Sequence, residues 1–410
     1  MVKDLTIETK KSKEKKLRAK ATKINVNKKS IKFPRKVIHT SLDNIDELTF
    51  FKKEFDTNPI TELVIKITPK RLREIVSNSS EHQKTKDNIR AVFSQSGTKG
   101  FNVGYPLLIN ERSPGEKESE FISFGKPTEK IIEKIYDLFD VEQVDAIIFP
   151  APSPNGDSSD WCKMSTDVFT NRKPDYMSEE TMFSGIIPIG IPESKAIKIA
   201  NYYITNGLES LTFDFCSRKV PESRMRAIID EIGDKWNNLY VHGTNVPSYN
   251  FHGTFKTPSL ASYDLLISVY GFDSFGNIRI GRAGELPEKN KIKTKMQSKR
   301  FRLTETYGDY NYEGLKAILS SEKITCNSPI FKTRNPLDIY DNKEITEKSF
   351  IQLTSELKQH RNYISHKEMI DLYDLISKEK YDDYLQTKKA ATKELNSIYA
   401  EMGVKKLKDY

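Results

Sequence analysis

Apolar and polar positions along the middle of this chain follow two periods in alternation. An apolar run over 186–191 ends at Pro192, and Ala196, Ile199, Ala200, Tyr203 and Ile204 then recur at the spacing of one helix face. Gly207 stops that helix. The next stretch, LESLTFDF over 208–215, is apolar and β-branched enough for a buried strand, and it delivers Asp214, Cys216, Arg218 and Lys219 to a loop before Pro221 opens another helix. Two strands around one helix of this length make a βαβ unit and imply a parallel sheet.

The same alternation extends in both directions. Upstream, the pattern predicts a strand at 37–40, a helix at 45–55, a strand at 62–67 and a helix at 69–76. A polar loop at 77–88, a short strand at 91–93 and a strand at 106–109 come next. The glycines at 97, 100 and 104 match no nucleotide loop and read as a surface turn. A helix follows, with Pro127 in its first turn, Glu129 near the positive end of its dipole, and Ile131, Ile132, Ile135, Leu138 and Phe139 on one stripe. Strand 144–149 exits into PAPSPNGDSSDW, a long loop where barrel enzymes place their sites. Downstream, Met225, Ile228, Ile229, Ile232 and Trp236 define a helix, 239–241 a strand that runs into a loop bearing His242, Asn245, Asn250 and His252, and 259–269 a helix. Seven or eight such units between 36 and 285 predict an α/β fold, a (β/α)8 TIM barrel, with a doubly wound sheet as the other arrangement. Residues 286–410 turn basic and then helical, at 347–359, 366–377 and 378–402, and are expected to form a mostly helical subdomain packed on the barrel.

Charge changes the picture at the N-terminus. Residues 1–36 hold twelve Lys and two Arg against Asp4, Glu8 and Glu14, a net +11, while the remaining 374 residues carry −2. With no apolar period visible, residues 1–35 are expected to be a disordered basic tail, suited either to a polyanion such as DNA or RNA or to solubilising or localising the chain. The three cysteines, Cys162, Cys216 and Cys326, are too scattered for a disulfide framework, and no apolar run reaches the length of a membrane span. A soluble, cytoplasmic protein is the expectation.

The order of these segments resembles the tRNA-guanine transglycosylase superfamily, particularly its archaeal branch and the 7-deazaguanine DNA transglycosylases. IPIGIPESKAIKIANYYITNGLESLTFDF, SFGKPTEKIIEKIYDLFDVEQVDAIIF, YDLLISVYGFDSFG and TCNSPIF with LKQHRNYISHKEM carry the likeness, across roughly residues 85 to 390. The resemblance implies a zinc-containing barrel that exchanges guanine for a free 7-deazaguanine through a covalent enzyme–nucleic acid intermediate, one carboxylate attacking and a second handling the proton. The chain departs from the pattern at the chemistry. Asn110 or Gln95 stands where the resemblance implies a general-base aspartate, and neither can take a proton. Ala151 replaces the base-reading aspartate, although Asp145 and Asp157 beside it match. Gly276 falls at the nucleophile's place, with Asp273 three residues earlier. The zinc pattern becomes Cys326, Ser328 and Phe331 with His360, too few ligands for a structural zinc, so no metal and no cofactor are expected.

The candidate catalytic residues are accordingly Asp273 and Asp214. Asn110, Glu111, Asp157, Arg218, His242 and Asn245 are the candidate substrate-binding residues. The function expected is that of a base-modifying glycosyltransferase (pentosyltransferase) acting on DNA, less readily on tRNA. The alternative is a non-catalytic transglycosylase-like subunit or nucleic-acid-binding module. Expected partners are the nucleic acid, a free 7-deazaguanine base and either a second copy of the chain or a partner subunit, but no membrane.

Overall fold

The computed structural model describes residues 6–11, 18–26, 28–40, 46–96, 100–109, 124–153, 159–176, 181–216, 222–248, 257–277, 291–321, 328–331, 337–341 and 346–401. The strands in chain order are β1 (Thr6–Lys11), β2 (Lys20–Val26), β3 (Lys29–Phe33), β4 (Arg35–Lys36), β5 (Ile38–Thr40), β6 (Ile60–Ile67), β7 (Phe101–Ile109) and β8 (Ala146–Ile148). They continue as β9 (Ala151–Ser153), β10 (Met182–Pro188), β11 (Ser210–Asp214), β12 (Tyr240–Thr244), β13 (Ser259–Ala261), β14 (Ser274–Phe275), β15 (Phe301–Leu303) and β16 (Gly308–Tyr310).

The main sheet follows the order β4-β14-β12-β11-β10-β8-β7-β6-β5, with β9 beside β7, and all its pairings are parallel. Its two ends are almost one strand. Only Val37 separates β4, which pairs with β14, from β5, which pairs with β6, and Val37 donates its N–H to the Phe275 carbonyl at 2.8 Å. The sheet is therefore nearly closed into a barrel.

Helices link the parallel strands because each connection must cross the sheet to return to the same end. Helix Glu129–Leu138 shows the local logic: Thr128 caps it by accepting the Ile131 N–H at 3.4 Å, and Ile132, Ile135, Tyr136 and Leu138 are its buried face. Phe139, at its end, packs against β7 where only Gly104 leaves room, since a Cβ there would overlap the Phe139 ring. Gly185 in β10 makes the same allowance for Tyr203 of helix Glu193–Thr205. Gly104 therefore lies inside a strand, not in the surface turn expected. The polar stretch expected as a loop and a short strand is helix Ser79–Ser96. The helix expected over 259–269 is instead strand β13, a four-residue α-turn Tyr263–Leu266 and a 3-10 turn Ile267–Tyr270.

The basic N-terminus departs most from expectation. β1, β2 and β3 form an antiparallel sheet, and Ala19, Ala21, Ile24, Val26, Ile31 and Phe33 belong to the same core as the barrel strands. Their alternation had been masked by the lysines between them. Two of those lysines hold the sheet to the barrel floor. Lys20 Nζ lies 2.9 Å from Asp273 Oδ2 and donates to the Leu239 carbonyl at 2.6 Å, and Lys29 Nζ lies 2.7 Å from Asp145 Oδ2. Both aspartates sit one residue before a strand, β14 and β8 respectively, which defines the N-terminal end of the barrel.

A single helix, Glu347–Ser377, replaces the two expected over that span, and shorter helices Tyr381–Gln386 and Thr392–Glu401 follow it. Its Met369, Leu372 and Ile376 share the main core, and it packs on β2, while Lys32 reaches over the Tyr373 ring at 5.1 Å. A second core cluster gathers Ile292, Phe301, Leu315, Phe331, Tyr340 and Leu357 around β15 and β16. Among the described residues no helix is long and apolar enough to cross a membrane.

Candidate active site

Barrels of this kind are ordinarily filled by branched apolar side chains. Here β11 and β12, buried throughout, alternate polar with apolar residues. In β11, Phe213 packs its ring on Trp236 and Phe272, while Ser210 and Thr212 hydrogen-bond to Ser184 of β10 at 2.8 and 2.6 Å. β12 repeats the pattern with Tyr240, His242 and Thr244 turned inward. Tyr240 and His242 both contact Ser274 Oγ, at 2.6 and 2.8 Å, and Thr244 donates to Glu62 Oε1 at 2.9 Å.

Glu62 is the centre of this interior. It is completely buried, and His242 Nε2 lies 3.5 Å from Oε1 and His39 Nδ1 3.4 Å from Oε2, neither in hydrogen-bond alignment. Burial by itself would raise the carboxyl, but the nearness of His242 and His39 and the bond from Thr244 leave it below the usual glutamate range. Burial moves His39 downward, against the pull of Glu62 and Glu47, and both of its ring nitrogens are buried without a hydrogen-bond partner. Gly276 makes the arrangement possible, because a Cβ there would come within 2.5 Å of both Glu62 Oε2 and His39 Cε1.

Asp214 ends β11 on the same side. Its Oδ1 accepts the Asn245 amide at 2.7 Å and the Cys216 N–H at 2.9 Å. Both donors adopt left-handed backbone, Asn245 at φ 54° and Cys216 at φ 49°, a conformation costly for side chains other than glycine and concentrated at functional sites. Tyr105 Oη lies 3.5 Å from Asp214 Oδ2, and burial, with Asp214, Cys216 and Glu62 nearby, pushes its phenol well above the ordinary tyrosine value. Asn245 Oδ1 and Glu62 Oε2 have no hydrogen-bond partner, although buried polar atoms are nearly always paired.

Asp214 is bonded to Asn245, and His242 lies on the neighbouring strand β12, whereas Asp273 does not join them. It is 0% exposed on the barrel floor, accepting the Val241 N–H at 2.8 Å and paired with Lys20. Burial raises its carboxyl and lowers the Lys20 ammonium, and their mutual attraction opposes both shifts. Such a carboxylate cannot reach a substrate at the other end of the barrel. Asn110, Glu111, Asp157 and Arg218 lie outside the described residues. Glu62, His39, Tyr105 and Ser274 are additions that sequence reasoning missed.

The zinc pattern implied by the resemblance does not fit. Cys326 lies outside the described residues, and Ser328 and Phe331 offer no thiolate. His360 stacks on Phe301 at 4.1 Å with Nε2 2.9 Å from the Arg302 carbonyl. Among the described residues no group of three or more His, Cys, Asp or Glu is arranged to hold a metal ion. No protein-family model matches the chain, and no curated protein matches its sequence.

Proposed function

We propose that the sheet is an eightfold (β/α)8 barrel, with β4 and β5 as halves of one strand, and that its polar interior is the active site of an enzyme exchanging or modifying a base in nucleic acid. The observation that carries this reading is a barrel interior holding two buried carboxylates, Asp214 bonded to Asn245 and 3.5 Å from Tyr105 Oη, and Glu62 beside His242, His39 and Thr244. Breaking a glycosidic bond calls for one carboxylate to attack or stabilise the sugar carbon and another group to move the leaving base's proton. Asp214, held by two N–H donors at a strand end, suits the first role. Glu62 beside His242 and His39 suits the second. With Asp273 occupied by Lys20, these roles pass to residues other than those implied by the resemblance.

The test is incubation of the protein with guanine-labelled duplex DNA or tRNA and a free 7-deazaguanine. Label release from one of them, lost in Asp214→Asn and Glu62→Gln but retained in Asp273→Asn/Lys20→Met, supports the reading and identifies the substrate. The sequestration of Asp273 favours a second reading, a non-catalytic nucleic-acid-binding subunit. Absence of release from either substrate, with salt-sensitive binding to one of them, would establish that instead.

A further inference from the structure

We infer that Tyr240 and Ser274 are positioning residues that fix the neutral His242 imidazole with its proton on Nε2, so that the barrel interior is offered a hydrogen-bond donor beside the Glu62 carboxylate. The argument is an accounting of protons. Tyr240 is buried, and burial holds its phenol far above the ordinary tyrosine value, so the hydroxyl keeps its hydrogen. That hydrogen has one acceptor among the described residues, Ser274 Oγ at 2.6 Å. If Ser274 donated to Tyr240 instead, the phenolic hydrogen would be buried without a partner, at a cost of roughly 1–3 kcal/mol. Ser274 therefore accepts from Tyr240 and has its own hydrogen to give. Its remaining partner is His242 Nδ1 at 2.8 Å.

An Nδ1 that accepts this bond cannot carry a proton, and in a neutral imidazole the proton then lies on Nε2. Nε2 is buried, has no aligned hydrogen-bond partner, and lies 3.5 Å from Glu62 Oε1. Thr244 already donates to that oxygen at 2.9 Å, which leaves the His242 N–H available to a third group. The near-parallel stacking of the Tyr240 and His242 rings, 14° apart, keeps the imidazole in this orientation. His242 thus faces the interior as a donor and Glu62 as an acceptor. Resting on the function proposed above, this makes His242 a hydrogen-bond donor that holds a departing base beside Glu62, which handles the proton. The tautomer itself does not depend on that reading.

Two-bond proton–nitrogen NMR on histidine-labelled full-length protein tests it, with the His242 signals identified by their loss in His242→Gln. The expected wild-type spectrum has a pyrrole-type Nε2 and a pyridine-type Nδ1. Ser274→Ala should give a mixture of tautomers, and Ser274→Thr should restore the single form. A pyrrole-type Nδ1 in the wild type overturns the inference, whether or not any variant folds, and so does an unchanged spectrum in Ser274→Ala. The expected tautomer without base exchange would remove the functional reading and leave this one intact, whereas exchange with the opposite tautomer would do the reverse.

Discussion

The floor and the interior of the barrel both bury charge, yet they handle it oppositely. On the floor each acid meets a lysine, Asp273 with Lys20 at 2.9 Å and Asp145 with Lys29 at 2.7 Å. In the interior Glu62 meets histidines but, among the described residues, no lysine or arginine, and Glu62 Oε2, Asn245 Oδ1, His242 Nε2 and both nitrogens of His39 are unpartnered, against Asp273 Oδ1 for the two acids of the floor. Paired charges hold elements together, and unpaired groups in a folded interior mark where something else is to bind.

Changing one residue in each region tests the contrast. Glu62→Gln should lower the rate of base exchange by about 10²–10⁴-fold, the range for losing a general acid–base group, while the urea midpoint moves little. A midpoint that collapses with Glu62→Gln would make the interior as structural as the floor. Lys20→Met leaves Asp273 buried without its partner and should destabilise by roughly 3–5 kcal/mol in urea unfolding, with much of that recovered in Lys20→Met/Asp273→Leu. A smaller effect is expected on the helix side of the sheet. There Gly185→Ala drives a methyl into the Tyr203 ring and should cost about 1–3 kcal/mol by thermal or urea unfolding.

The gentlest probe is acid. Burial lowers His360 and His366 to about 4 each, from an unfolded value of 6.5. The unfolded chain therefore takes up protons first, so stability is full above pH 6.5 and declines as the pH falls toward 4. Glu47, held below the usual carboxylate range by Lys36 and His366 despite its burial, adds a further loss below its unfolded value of 4.5. His360→Leu should flatten the dependence between pH 6.5 and 4.5, as followed by urea midpoints. An unchanged slope would show that His360 titrates normally in the folded protein.

The strand–helix alternation was legible because helices such as Glu193–Thr205 bury a single face, with Ala196, Ile199, Ala200 and Tyr203 inside. The N-terminal sheet was not, since a lysine is read as solvent-facing and Lys20 is 1% exposed. Asp214 and Asn245 could be found because they end or follow strongly apolar strands, while His242, expected in the loop, lies inside β12. Glu62 was passed over in ITELVIKI, although a carboxylate within such a run is itself the signal. The alternation S-L-T-F-D in β11 carried the same message, a polar residue at every second position of a strand buried throughout. Asp273 misled because sequence places it next to β14 without saying which end of the barrel that is. That distinction depends on Lys20, which is 253 residues away.

The seam where β4 joins β14 also sets a timetable. Arg35 and Lys36 leave the ribosome early, but Ser274 and Phe275, their partners in the sheet, are made only after most of the chain has followed. Until then the N-terminal sheet has no completed floor to close, and Lys20 has no Asp273 to bind. Contacts of such long separation make folding slow, and they leave the open edges of β4 and β12 exposed to other chains in the interval. A nascent chain truncated before residue 274 should therefore need a chaperone that the finished protein does not.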